Sequence, residues 1–124
     1  DLHSFPTRRS SDLLVAKITP GFNLPAKYVL HTVGPIINDE VTPKAEALLA
    51  SCYRSCLELA ERHDLQSIAF CCISTGVFSF PPDLAAEIAI RTVEEFLQKE
   101  TGIRRVIFNV FKDSDLEIYQ RLLT

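Results

Sequence analysis

Residues 70–81 read FCCISTGVFSFP, and this stretch decides the fold. An apolar run, Phe70 to Ile73, enters Ser74-Thr75-Gly76; Phe78 and Phe80 then bracket Ser79, and Pro81-Pro82 open a helix. An apolar strand that runs through a glycine-containing turn into a helix N-terminus is how α/β proteins build an anion site. Successive backbone N–H groups converge on a phosphate there without help from Lys or Arg. Gly76 lacks a Cβ and lets a ligand approach its backbone. Phe78 and Phe80, two residues apart, point the same way if the turn is extended, and would wall a ribose or a base. A strand ending in a turn, with two core phenylalanines, accounts for the same letters.

Outward from that stretch, the periodicities alternate between strand and helix. Leu14 to Thr19 and Tyr28 to Val33 read as strands, joined through a Pro20-Gly21 turn and able to pair as a hairpin. Thr42-Pro43 reads as N-cap and first helical position, and Leu48, Leu49, Cys52, Cys56, Leu57 and Ala60 form an apolar stripe ending near His63-Asp64. Ser67 to Ile73 is nearly all apolar, as in a central strand covered on both faces. Asp83 is positioned to cap a helix reaching about Lys99, with Leu84, Ile88, Ala89, Val93, Phe96 and Leu97 buried. Arg105 to Phe111 is a further strand, and Ser114-Asp115-Leu116-Glu117 is a capping-box pattern for a last helix to about Leu123. The order β, β, α, β, α, β, α implies an α/β fold, a three-layer α/β/α sandwich around a mixed, largely parallel sheet. Its ligand cleft belongs beyond the carboxyl ends of the strands, where Thr32-Val33-Gly34, Ser74 to Phe80 and Asn109 to Phe111 gather.

Composition narrows the function. The chain has 124 residues, 47% of them hydrophobic and 23% charged, enough for one domain with an ordinary core. A formal charge of −3 argues against broad binding to nucleic acid or anionic membranes. No run approaches a membrane span and no signal peptide opens the chain, so a cytoplasmic location is expected. Cys52, Cys56, Cys71 and Cys72 are expected as buried free thiols, since adjacent strand residues face opposite ways and Cys-x-x-Cys spacing is absent. His31 reads as a structural histidine in an apolar strand, and His63 as a cation at a helix C-terminus. Residues 1–13, with Arg8-Arg9-Ser10-Ser11, read as a non-native or disordered tail, and HSFPTRRSSDL resembles a translated sequencing adapter.

Two stretches carry a family resemblance. FCCISTGVFSFP resembles the diphosphate loop of macrodomains, the ADP-ribose-binding modules. Residues 23–35, NLPAKYVLHTVGP, are similar to a second segment of that family in the same order, and the strand from Val106 with the Tyr119 helix also fits. Cys71-Cys72, in place of a proline-containing step, resembles the zinc-dependent bacterial protein-ADP-ribose hydrolases. The resemblance covers residues 14–124 and begins inside the family pattern, near Ala16-Lys17-Ile18-Thr19. It therefore implies a partial macrodomain lacking its first elements.

By that resemblance, Ser74, Thr75, Gly76, Val77 and Phe78 are the expected diphosphate contacts, mainly through backbone N–H groups. Phe80 would lie near the distal ribose, with Asn109 and Phe111 beside the adenine. The implied partners are ADP-ribose and ADP-ribosylated proteins, with no nucleic acid and no membrane. The implied reaction is hydrolytic removal of ADP-ribose, which needs an activated water and stabilised positive charge at the sugar. Zinc would polarise or supply the nucleophile in the resembled subgroup, but its ligands fall outside the residues that match, so no metal is expected in this chain. A non-catalytic ADP-ribose or nucleotide-binding module is the competing reading, and a purely structural α/β remnant a third.

Overall fold

Thr42 and Pro43 start the longest helix because the chain supplies both a cap and a preset φ. In the computed structural model, which describes residues 16–76 and 78–124, helix α1 spans Pro43–Arg62. The Thr42 hydroxyl accepts from the Ala45 N–H at 3.1 Å. His63 ends the helix, its ring Nδ1 lying 3.1 Å from the Leu59 carbonyl. The expected stripe is buried at Leu49, Cys52, Cys56, Leu57 and Ala60, and Tyr53 joins it. Leu48 is half-buried at the stripe's edge.

Strands β1 (Lys17–Pro20) and β2 (Tyr28–His31) form the expected antiparallel hairpin, with Lys17 opposite His31 and Pro20 opposite Tyr28. Gly21 turns it tightly: its N–H donates to the Lys27 carbonyl at 2.8 Å, and a Cβ there would overlap the Ala26 carbonyl. The His31 Nε2 lies 2.9 Å from the Thr19 hydroxyl, which makes it a satisfied strand histidine.

Strands β3 (Ser67–Phe70) and β4 (Arg105–Phe108) pair in parallel, with helix α2 (Pro82–Leu97) as the crossover. Helix α3, Asp113–Leu123, closes the chain. Ile68 and Phe70 of β3 are buried in one cluster with Leu49, Tyr53 and Leu57 of α1 and Ile88, Ala89 and Val93 of α2. A second cluster joins Ala86 and Ile90 of α2 to Tyr119, with Phe108 packed against both clusters. All three helices thus pack against one face of the β3–β4 pair. The α/β class and the element order are as expected, while the described strands form two two-stranded sheets, β1–β2 antiparallel and β3–β4 parallel, rather than one continuous mixed sheet.

Four expectations change. The strands are shorter than the apolar runs, stopping at His31, Phe70 and Phe108 rather than Val33, Ile73 and Phe111. Strand β3 is not covered on both faces among the described residues; Ser67 and Ala69 alternate as exposed positions with buried Ile68 and Phe70. Asp83 and Ser114 do not cap: α2 begins after Pro81 and α3 after Lys112, neither with a side-chain cap bond. Asp83, Asp113 and Asp115 instead lie in first turns, where the helix dipole favours a carboxylate. Leu97, expected in the core, is 40% exposed at the end of α2. The reading of residues 1–13 as a tail, and Leu14 and Val15 of the first expected strand, lie outside the described residues.

Replacing Leu57, fully buried, by Ala is expected to cost about 2–5 kcal/mol in urea unfolding, whereas Thr42→Ala should cost about 1 kcal/mol. Stability should also fall in alkali. Burial pushes the Cys56 thiol from its ordinary 9.0 up to about 12, and the Tyr119 phenol from 10.0 to about 12. Both groups are held neutral in the fold. Their contribution is complete below the unfolded values and is lost as pH rises between about 9 and 12. Denaturation midpoints measured across that window should drop, and Tyr119→Phe should flatten the upper part of the drop.

Candidate functional site

Strands β3 and β4 run parallel, so their carboxyl ends lie at one edge. The turn after β3 and the segment after β4 therefore leave the sheet side by side, and the Asn109 N–H donates back to the Phe70 carbonyl at 2.7 Å. The third segment, after β2, arrives through two contacts. Gly34 packs so closely on the 73–74 turn that a Cβ would overlap the Ser74 hydroxyl and press within 2.7 Å of Ile73. The Ile37 N–H donates to the Phe78 carbonyl at 2.8 Å. All three strand ends expected at the cleft are thus brought together.

The turn is built by two serines in the left-handed region, Ser74 at φ 67° and Ser79 at φ 65°. Gly76, which the sequence marks as the permissive residue, has ordinary φ, is exposed, and has nothing within 4 Å of a Cβ position. Between the two serines the chain doubles back: the Phe80 N–H donates to the Ser74 carbonyl at 2.9 Å and the Ser79 N–H to the Gly76 carbonyl at 3.0 Å. A non-glycine residue at positive φ is uncommon and marks a conformation imposed by its surroundings.

This geometry separates the predicted residues. Gly76 and Phe78 have N–H groups without an acceptor among the described residues, which suits an anion. The Thr75 N–H points to the Cys72 carbonyl at a long 3.5 Å, and its hydroxyl donates there at 3.2 Å. Val77 lies outside the described residues. Ser74 is buried, and its hydroxyl has no hydrogen-bond partner. Phe78 is half-buried and lines a cavity of about 1090 Å³ that runs between the β2 and β3 segments. Phe80 contradicts its expected role. The left-handed Ser79 breaks the two-residue alternation, so Phe80 turns into the core at 1% exposure instead of facing a ribose. Asn109 is exposed at the same sheet edge, and Phe111 is 97% exposed, free to meet a ligand's flat face.

Gly34, expected at the cleft within Thr32-Val33-Gly34, is the position where the β2 segment meets the turn. Sequence reasoning missed one participant. Tyr53 lies one residue from Cys52 in the helix stripe, and its hydroxyl reaches to 3.5 Å from the Cys71 carbonyl beneath the turn. A tyrosine amid an apolar stripe was the available signal, because a buried phenol seeks a partner.

Among the described residues the thiols form no metal centre. Cys52 and Cys56 are buried as expected, but Cys71 is exposed and Cys72 half-buried. Burial pushes the thiols of Cys52, Cys56 and Cys72 up. The Cys52 thiol donates to the Val33 carbonyl at 3.3 Å. Among the described residues no three His, Cys, Asp or Glu side chains converge. Among the described residues the donor set does not fit zinc.

Gly34→Ala should destabilise the domain by about 1–3 kcal/mol, because its methyl overlaps Ser74. Ser74→Gly removes the obstructing hydroxymethyl and suits φ 67°, so it should recover most of that loss in the double variant. Thermal melts of the four proteins of this cycle measure the coupling; additive effects would contradict the packing.

The comparisons with known proteins agree with this arrangement. Residues 8–89 match the family model described as Macro domain. A protein-ADP-ribose hydrolase of Staphylococcus aureus (strain MSSA476) is 58% identical over 106 residues, which are 85% of this chain and 40% of that protein. The chain thus spans about two fifths of the length of that relative. Among solved structures, the Oceanobacillus iheyensis macrodomain with ADP superimposes with a TM-score of 0.82 at 45% identity, covering 90% of this chain and 57% of that one. The Trypanosoma brucei macrodomain in complex with ADP-ribose gives a TM-score of 0.80 at 36% identity, covering 88% and 45%. With these matches and the three strand ends gathered at one edge, the chain belongs to the macro domain family.

Proposed function

We propose that this macro domain recognises ADP-ribose, and that the protein it represents removes ADP-ribose hydrolytically from modified proteins. The observation that carries the reading is the turn at residues 74–80. It presents the N–H groups of Gly76 and Phe78 at the carboxyl edge of a parallel pair, held there by Gly34 and Ile37. Backbone N–H groups bind a diphosphate without a cationic side chain, which suits a chain of net charge −3. Exposed Phe111 and Asn109, at the same edge, offer a stacking face and a hydrogen bond to a base. The S. aureus relative supports the hydrolase, and the T. brucei structure supports the ligand.

Glycosidic hydrolysis needs a group to activate water. Among the described residues His31 is engaged with Thr19, and Asp113 and Asp115 serve the first turn of α3. That observation favours a second reading, in which this chain binds ADP-ribose and does not by itself cleave the linkage. The four free thiols suit a reducing, cytoplasmic setting, and no helix among the described residues is long and apolar enough to cross a membrane.

Calorimetric titration with ADP-ribose, with AMP as control, tests the binding. Saturable heat for ADP-ribose is expected with a Kd between about 10 μM and 1 mM, roughly −7 to −4 kcal/mol. Phe111→Ala should weaken it by about 1 kcal/mol, as for a lost stacking contact. Equal affinity for AMP, or no heat from a folded sample, would overturn the reading. Release of ADP-ribose from a modified protein by this chain separates hydrolase from binding module.

A further inference from the structure

Two buried phenols meet beneath the 74–80 turn, Tyr53 from α1 and Tyr119 from α3, at 1% and 6% exposure. A buried hydroxyl keeps its place only where it finds hydrogen-bond partners. The partners of these two lie between the two arms of the site. The Tyr53 hydroxyl donates to the Cys71 carbonyl at a long 3.5 Å, within reach also of the Ile73 N–H and the Tyr119 phenol. Cys71 to Ile73 lead from β3 into the turn, and the Cys72 carbonyl between them accepts from the Thr75 hydroxyl at 3.2 Å. Tyr119 belongs to the other arm. Its ring stacks on Phe108, centroids 5.1 Å apart, and the next residue, Asn109, opens the segment that reaches Phe111. Its oxygen meets Tyr53, and among the described residues no hydrogen bond runs from it to the turn itself. The Cys72 side chain packs on Tyr119, and Asp115 stands one helical turn before it.

We infer that Tyr53 and Tyr119 are positioning residues that act in series: Tyr119, seated on the segment that offers Asn109 and Phe111, orients Tyr53, and Tyr53 sets the direction in which the chain enters the 74–80 turn. The inference rests on the reading of that turn as the diphosphate site. Both phenols are buried, so they act through the backbone of residues 71–73 and not on the ligand. The turn needs such support. Ser74 and Ser79 hold left-handed conformations that serine does not favour, so the backbone relaxes when a restraint is lost. The Gly76 and Phe78 N–H groups converge on one anion only while the turn keeps its shape. Phenylalanine at either position keeps the ring that packs on Phe70 or Phe108 and deletes only the oxygen. Substitution therefore isolates the hydrogen bonds from the packing. The series also has an order: with the Tyr53 oxygen gone, the Tyr119 oxygen has nothing through which to reach the turn.

The test compares the full chain with Tyr53→Phe, Tyr119→Phe and the double variant in two readouts. The first needs no ligand. Amide hydrogen exchange is read at Phe80, whose N–H closes the turn on the Ser74 carbonyl, with Leu57 reporting the core. Each single variant is expected to speed Phe80 relative to Leu57 by at least about threefold, and the double variant no more than Tyr53→Phe alone. Thr42→Ala, a lesion of the helix cap far from the turn, should leave Phe80 no faster relative to Leu57. The second readout is the calorimetric Kd for ADP-ribose. Each single variant should raise it about three- to tenfold, as for one lost hydrogen bond, and Tyr119→Phe should add nothing once Tyr53 is replaced. Three results overturn the inference: Phe80 unchanged relative to Leu57 in both single variants, an unchanged Kd where Phe80 has sped up, or additive effects in the double variant. Should Tyr53→Phe not fold, Tyr119→Phe carries both readouts. If the unsubstituted chain binds no ADP-ribose, the ligand reading fails by itself, and the exchange at Phe80 alone decides whether the phenols hold the turn.

Discussion

A column of four aromatic rings holds this structure together. Tyr53 of α1 lies 4.9 Å from Phe70 of β3, Phe70 lies 6.4 Å from Phe108 of β4, and Phe108 lies 5.1 Å from Tyr119 of α3. Each pair contributes about 0.5–1.5 kcal/mol beyond the apolar area it buries. More important is what the column connects. It joins two helices distant in sequence through two neighbouring strand ends, while α2 packs alongside through Ile90 and Ala86. Phe70 and Phe108 are register partners and the last residues of their strands, so the column stands directly under the site.

The site inherits its form from that support. Beyond Phe70 the chain leaves the sheet and turns at residues 73–76. Ser74 and Ser79 take left-handed conformations that a serine adopts at a cost of order 1–3 kcal/mol. Gly34 on one side and buried Phe80 on the other hold the turn in that shape. The result is a turn in which the Gly76 and Phe78 N–H groups have no acceptor among the described residues. Anion recognition here is a property of constrained main chain, which is why an acidic protein can provide it.

Much of this was legible in the letters, and the failures have identifiable causes. Thr42-Pro43 marked the start of α1 and His63-Asp64 the neighbourhood of its end, because caps and proline act through local bonds and fixed dihedrals. The hairpin, the crossover through α2 and the gathering of three strand ends followed from element order. The caps expected at Asp83 and Ser114 failed because a first-turn carboxylate and a capping residue leave similar sequence signatures. Phe80 failed because its direction depends on the φ of Ser79, and serine does not advertise a left-handed conformation. Glycine at position 76 did advertise one, and did not use it.

By itself the sequence determined the α/β class, the order of its elements, the start of α1, and the turn that carries the site, because these rest on periodicity, capping and short-range backbone chemistry. The tertiary structure decided what depends on approach between distant segments. Gly34 meets Ser74 across 40 residues of chain, and Phe80 is core while Phe78 lines the cavity. A residue's letter fixes what it can contact; only the packing of remote elements fixes what stands within reach.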